Sequence, residues 1–188
     1  VGCIMLGPRN DKNIIESSPV NALLGLFMLW WGWLGFNCGS AFGITGNKWI
    51  FIAKAASTTL NASIAGGGAS FLYCYFYNNR KYSVHIIVNG ILSSLVSITP
   101  NCIYVSNWAS FLIGFIGAFI SIISDKFIKK FIDDPIGCVS THGLAGIWGL
   151  LSSAFLTNTI YINNKKGLFY SGSFYLLGVQ LLRSEEHT

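Results

Sequence analysis

The chain has 188 residues, of which 52% are hydrophobic and only 10% charged, against about 25% charged in a typical soluble domain. A water-soluble protein this poor in charge could not cover its surface, so the composition excludes an ordinary globular domain and predicts an all-α polytopic membrane protein embedded in a lipid bilayer. The formal charge of +5 is scattered over short islands between apolar runs. That pattern orients a membrane protein, whereas a nucleic-acid binder gathers its basic residues on one face, so no nucleic-acid partner is expected.

Val1 to Leu6 is apolar and breaks at once into Gly7-Pro8-Arg9, which reads as the last turn of a helix begun upstream. Six further spans follow, at about 19–42, 49–77, 84–104, 108–127 and 135–156, with a last one starting at about 172–182. These apolar stretches match the length a helix needs to cross roughly 30 Å of hydrocarbon. The second is long and carries Gly66-Gly67-Gly68, which we read as one tilted helix. Trp30, Trp31, Trp33, Trp49 and Trp108 are placed as interfacial anchors near span ends. Alternating the spans puts Arg9, Lys12, Arg80, Lys81, Lys126, Lys129 and Lys130 on one side. The other side receives Lys48, Lys165 and Lys166, with Lys54 able to snorkel outward. The richer side is expected to be cytoplasmic.

Gly35, Gly39 and Gly43 recur every four positions and Gly143, Gly146 and Gly149 every three. Both series predict close helix packing. Five single cysteines (Cys3, Cys38, Cys74, Cys102, Cys138) show no C-x-x-C spacing, so they read as small buried residues and predict neither a disulfide framework nor a metal site.

Ionisable residues deep in a span are costly and therefore functional candidates. His142 is the one such residue, about two turns into a helix beginning at Pro135, with Cys138, Val139, Ala145 and Gly146 as its helical neighbours. A neutral imidazole donates at one nitrogen and accepts at the other, which suits passage of a small polar molecule or proton. The bland reading is a buried histidine satisfied by another helix, and the residues alone leave both open. Phe36 and Ser40, four apart on one face, could meet a cation with an aromatic face and a hydroxyl acceptor, or could simply pack. Asp134 before Pro135 is the arrangement of an N-cap followed by an N1 proline, a structural cap in preference to a proton relay. His85, beside Arg80 and Lys81, receives no role. Nucleophile-elbow, P-loop, zincin and dinucleotide fingerprints do not occur, so neither an enzyme nor a cofactor is expected.

At these positions the chain resembles a known family. Gly32-Trp-Leu-Gly-Phe-Asn-Cys-Gly-Ser-Ala41 is similar to the G-W-x-G-F-N-x-G-S-A signature of the Amt/Mep/Rh ammonium transporters. Asn89-Gly90 through Ile98-Thr99-Pro100-Asn-Cys102 resembles the family's later G-x-x-A-G-L-V-x-I-T-P-x-C segment. Ile132-Asp-Asp-Pro135, His142-Gly143 and Gly146-Ile-Trp-Gly149 resemble its D-D-P…H-G-x-x-G-x-x-G helix. Residues 167–172 and 176–182 look like the approach to the last helix. The match runs from Gly7 to Leu182 and favours the Amt branch. Departures are Ser93-Ser94 in place of Ala-Gly and Ser57 in place of Asn.

The resemblance implies an eleven-helix fold of two inverted repeats in a plasma-membrane homotrimer with one pore per subunit. This chain would hold the second repeat, from the end of helix five through helices six to ten to the start of eleven. It further implies transmembrane transport of ammonium or ammonia through a narrow hydrophobic pore with a histidine relay. In that pore Phe36 is one gate ring, Ser40 a vestibule hydroxyl that recruits substrate, and His142 the second pore histidine. The first histidine would precede Val1. Residues 1–182 form the membrane domain. Arg183-Ser-Glu-Glu-His-Thr188 interrupts an apolar run, resembles a read-through of a sequencing adapter, and is set apart as a non-native tail. An ammonium sensor of the same family and an inactive fragment are the alternative readings.

Overall fold

The computed structural model describes residues 2–8, 18–158 and 166–186. The expected loop charges Arg9, Lys12 and Lys165 lie outside them. Among the described residues the chain is helical: α1 Gly2–Leu6, α2 Pro19–Gly39, α3 Lys48–Tyr77, α4 Val84–Ile98 with a 3-10 turn over Thr99–Asn101, α5 Asn107–Phe131, α6 Val139–Leu156, α7 Leu168–Ser171 and α8 Tyr175–Glu186. Four of these, α2, α4 with its 3-10 turn, α5 and α6, are long and apolar enough by composition to cross a membrane. The last, α8, continues through Arg183 to Glu186.

α3 is the central helix. It packs along α5 and α4, with α2 on its flank and α6 laid against α4 and α5. Its 30 residues correspond to about 45 Å of helix, unbroken through the three glycines. It is missing from the apolar four because its buried face is made of small and hydroxylated residues, among them Thr58, Thr59, Ser63 and Ser70. Between helices surrounded by lipid the hydrophobic effect gives little drive, so close backbone approach and interhelical hydrogen bonds hold the helices together. A Cβ on Gly114 would collide with the Ala62 backbone, and one on Gly66 would come within 2.8 Å of the Gly90 carbonyl. Thr58 Oγ1 donates to the Cys102 carbonyl (2.6 Å), and Asn101 Nδ2 donates to the Gly149 carbonyl (2.8 Å) and to Ser152 Oγ (2.7 Å). A small apolar cluster of Ala62, Ile98, Val105, Ala109, Ile113 and Leu156 lies among these bonds.

Several expectations are corrected. Trp30 and Trp33 are not interfacial anchors: their indole N–H groups donate to Ser63 Oγ of α3 (3.0 Å) and to Thr99 Oγ1 (2.8 Å). Trp49 and Trp108 do stand exposed, at the start of α3 and α5. Gly35 and Gly39 meet nothing within 4 Å, and Gly43 lies beyond the helix with φ +134°, near the Lys48 side chain. That glycine ridge therefore makes no helix contact among the described residues. Cys74 and Cys102 are buried, but Cys138 is exposed. Ser93 and Ser94 fit because each hydroxyl turns back on its own helix, donating to the carbonyls of Asn89 (2.5 Å) and Ile91 (2.6 Å).

Candidate functional site

The helix bearing His142 does not begin at Pro135. Residues 132–138 run as a loop, and the helix starts at Val139. Asn89, in the second turn of α4, donates through Nδ2 to the Ile136 carbonyl (3.3 Å), so the loop enters below the end of α4 and α6 starts deeper. Gly137 has φ +74°, and a Cβ there would lie 2.7 Å from Asp125 Oδ1. Glycine is required by both the backbone and the space. Asp134 is 3% exposed. Its Oδ1 accepts from the Gly137 N–H (3.1 Å) and its Oδ2 from the Val139 N–H (2.8 Å). The carboxylate thus meets the helix start from five residues upstream, while Pro135 occupies a bend in place of the first helical position.

The loop delivers His142 in the first turn of α6, where Val139–Leu144 is wound as a π-helix. The Ala145 N–H is shared between the carbonyls of His142 and Ser140. Such π segments occur frequently at functional sites. The sequence carries no clear signal for this one. His142 is exposed and lines an open cavity of about 480 Å³ with Trp33, Val96, Thr99, Gly146 and Leu150 among its walls. No hydrogen bond to its ring occurs among the described residues. Here the close packing expected of Gly143 and Gly146 gives way to a groove, because a Cβ on either would meet nothing closer than 3.8 Å. Only Gly149 serves the predicted close packing, with the Ser97 carbonyl 2.7 Å from where its Cβ would be.

Phe36 does not line that cavity. It joins the wall through Trp33, whose ring it meets edge-on with centroids 6.4 Å apart. Trp33 is the residue that sequence reasoning missed. It contacts Phe36, bonds Thr99 and lines the His142 groove, and its three-residue spacing from Phe36 was the available signal. Ser40 caps the end of α2, exposed, with Oγ donating to the Phe36 carbonyl (2.9 Å). Its single proton is committed there, so the hydroxyl presents lone pairs outward as an acceptor.

The comparisons with known proteins bear on this arrangement. The Ammonium Transporter Family profile matches residues 1–185. The chain belongs to the ammonium transporter family. It is 43% identical over 192 residues to putative ammonium transporter 3 of Caenorhabditis elegans, covering 96% of this chain and 28% of that protein. It is 37% identical over 169 residues to a putative ammonium transporter of Synechocystis, covering 82% and 38%. Among solved structures it is similar to a sensor Amt protein (TM-score 0.80, 32% identity, 96% of this chain and 45% of that one). It is also similar to Mep2 of Candida albicans (TM-score 0.78, 25% identity, 96% and 41%). The chain thus spans between about a quarter and a half of the length of these relatives. As a family member with these helices, this ammonium transporter homologue is a multi-pass membrane protein.

Proposed function

We propose that the full-length protein transports ammonium or ammonia through a narrow apolar pore, and that this chain supplies the wall carrying His142. The supporting observation is the groove itself. A solitary imidazole, kept open by Gly143 and Gly146, shares a wall with Trp33, which is locked to Thr99 and touches Phe36. In this reading the face of Phe36 and the lone pairs of Ser40 attract and hold the cation at the mouth. Inside, His142 replaces hydration that an apolar passage cannot give, binding weakly enough to release. Its unbonded ring leaves room for a second histidine in the relay. Asp134 and Pro135 hold the start of α6 and thereby the height of His142. A plasma-membrane homotrimer, with the Arg80, Lys81, Lys126, Lys129 and Lys130 side cytoplasmic, completes the proposal.

The test is His142→Ala in the full-length protein at matched surface expression. Methylammonium uptake and ammonium current should both fall by ~10-fold or more, the equivalent of losing one hydrogen bond at the barrier, while the trimer persists. His142→Glu should keep more conduction than Ala. Unchanged uptake and cation discrimination in the alanine variant would refute the pore assignment. A signalling reading is favoured by the 32% identity to a sensor Amt protein. A sensor would give an ammonium-dependent output to a partner with no measurable flux.

A further inference from the structure

His85, the second residue of α4, takes no part in the groove. Its Nε2 lies 3.2 Å from Asn89 Nδ2, 3.2 Å from Lys129 Nζ and 3.9 Å from Asp125 Oδ2. Asn89 Nδ2 also donates to the Ile136 carbonyl, which fixes the amide with its NH2 toward the ring. An amide NH2 and an ammonium can only donate, so Nε2 is the acceptor and the imidazole is neutral, with its proton on Nδ1. Lys129 is tied to Asp125 Oδ2 at 2.7 Å, while Asp125 Oδ1 is buried with no hydrogen-bond partner among the described residues. A second arrangement is therefore available. A proton on Nε2 removes the lone pair, repels Lys129 and draws the ring toward a carboxylate with unused acceptor capacity. Other ionisable groups nearby are turned elsewhere. Asp134, beside Asp133 in the loop, serves the Gly137 and Val139 N–H groups. Arg80 lies over Tyr75, Lys126 over Tyr73 and Lys130 over Phe127, Tyr82 meets Phe71, and Lys81 is exposed.

We propose that His85 and Asn89 are positioning residues for the transport path, a proton-controlled latch on the loop that delivers His142. With His85 neutral, Asn89 is held between the ring and the Ile136 carbonyl, and residues 132–138 stay against α4. Asn89 is seven residues, or two turns, from Val96 on the same face of α4, and Val96 lines the groove beside His142. With His85 protonated, Asn89 loses its partner at one end. The loop is then held less firmly, and the start of α6 leaves the depth that puts His142 in the groove. An imidazole changes charge close to neutral pH, so acid on the side bearing Arg80 and Lys81 slows transport. The inference rests on the transport reading above, but the movement of the loop can be measured without it.

The full-length protein should be reconstituted in liposomes in one orientation. Methylammonium uptake is then followed while the pH on the Arg80 side is stepped from about 7.5 to about 5.5, across the titration of an ordinary imidazole. In His85→Gln an amide oxygen can accept from Asn89 and Lys129 at every pH, so this variant also corrects for the effect of pH on the driving force. Relative to it, uptake by the unmodified protein should fall by about tenfold at the acid end, one pH unit below the imidazole midpoint. The same step on the opposite face should leave the ratio unchanged. Asn89→Leu should give low uptake at every pH. Asp125→Asn, with no carboxylate to receive the imidazolium, should move the fall to lower pH. Backbone hydrogen exchange over residues 132–139, corrected for the intrinsic effect of pH, reads the latch without transport. It should quicken on acidification in the unmodified protein and not in His85→Gln. A constant uptake ratio, or exchange that responds alike in both proteins, would overturn the latch. Should His85→Gln fail to assemble, an Asp125→Asn profile identical to that of the unmodified protein would overturn it equally. Absence of uptake at every pH, with the exchange response intact, would refute the transport reading and leave the latch standing.

Discussion

The interface of α3 with α4 and α5 and the groove between α2, α4 and α6 are built from the same small and hydroxylated residues, yet one is closed and the other open. At the closed interface Gly66 and Gly114 bring backbones into contact, and Ser70, Ser93 and Ser94 turn their hydroxyls onto helix carbonyls. At the groove Gly143 and Gly146 meet nothing nearer than 3.8 Å. What separates them is the destination of the polar groups. Where a carbonyl lies within reach, the helices seal; where a π-wound turn and an indole hold the neighbours apart, space remains beside an unbonded imidazole.

The strongest way to break this comparison is to put a side chain on each kind of glycine. Gly114→Leu should abolish folded, assembled protein, because the obstruction is the Ala62 backbone and cannot rotate away. Gly146→Leu should behave oppositely. The groove has room for the side chain, so thermal stability in detergent should change by less than about 1.5 kcal/mol, while uptake is lost through obstruction. If Gly114→Leu assembles normally, or Gly146→Leu unfolds, the division between sealed and open regions is wrong.

A second test sharpens the role of the loop that sets the depth of the groove. Both oxygens of Asp134 are used, on the Gly137 and Val139 N–H groups. Asp134→Ala should destabilise by about 2 kcal/mol, leaving the Val139 N–H unmet and the Gly137 N–H with only its long contact to the carbonyl of residue 134 (3.4 Å). At a simple N-cap Asn would be a near-equivalent. Here its single oxygen can serve only one of the two N–H groups, and its amide would face the other. Asp134→Asn should therefore lose about half as much as Ala, read as the shift in unfolding midpoint. Equal behaviour of Asn and Asp would mean that one of the two bonds contributes nothing.

Much of the fold was legible in the sequence. Apolar runs between charge islands locate α2, α4, α5 and α6 to within a few residues, and the flanking loops rescue α3, whose buried Thr and Ser lower its hydropathy. His142 stood out because a titratable group in such a run is costly. The rest depends on three-dimensional placement. Trp33 looks like an interfacial residue until Thr99, 66 positions away, supplies its partner. Residues 132–138 read as a helix start because Asp-Pro suits one; the left-handed Gly137 and the contact of Asn89 with Ile136 convert them to a re-entering loop. Gly35, Gly39 and Gly43 follow a packing pattern that finds no helix in the described structure, since a repeat specifies a face but not what covers it.

The smallest expected effect belongs to the indole that links Phe36 to the His142 groove. Trp33→Phe keeps an aromatic ring against Phe36 but removes the N–H that donates to Thr99 Oγ1 at 2.8 Å. The Thr99 hydroxyl retains its own bond to the Leu95 carbonyl (2.8 Å), so no donor is left unmet and the cost to stability should be at most about 1 kcal/mol. Uptake should fall by about two- to fivefold, because the ring that backs Phe36 gains freedom and the mouth is less often aligned with His142. Thr99→Val with Trp33 intact removes the acceptor instead and leaves the indole N–H unpaired, so it should cost more stability for a similar loss of uptake. Combining the two substitutions should then cost less than their sum, as expected for partners in one bond. Strict additivity would show that Trp33 and Thr99 act separately, and that the groove wall is held open by the π-wound turn of α6 alone.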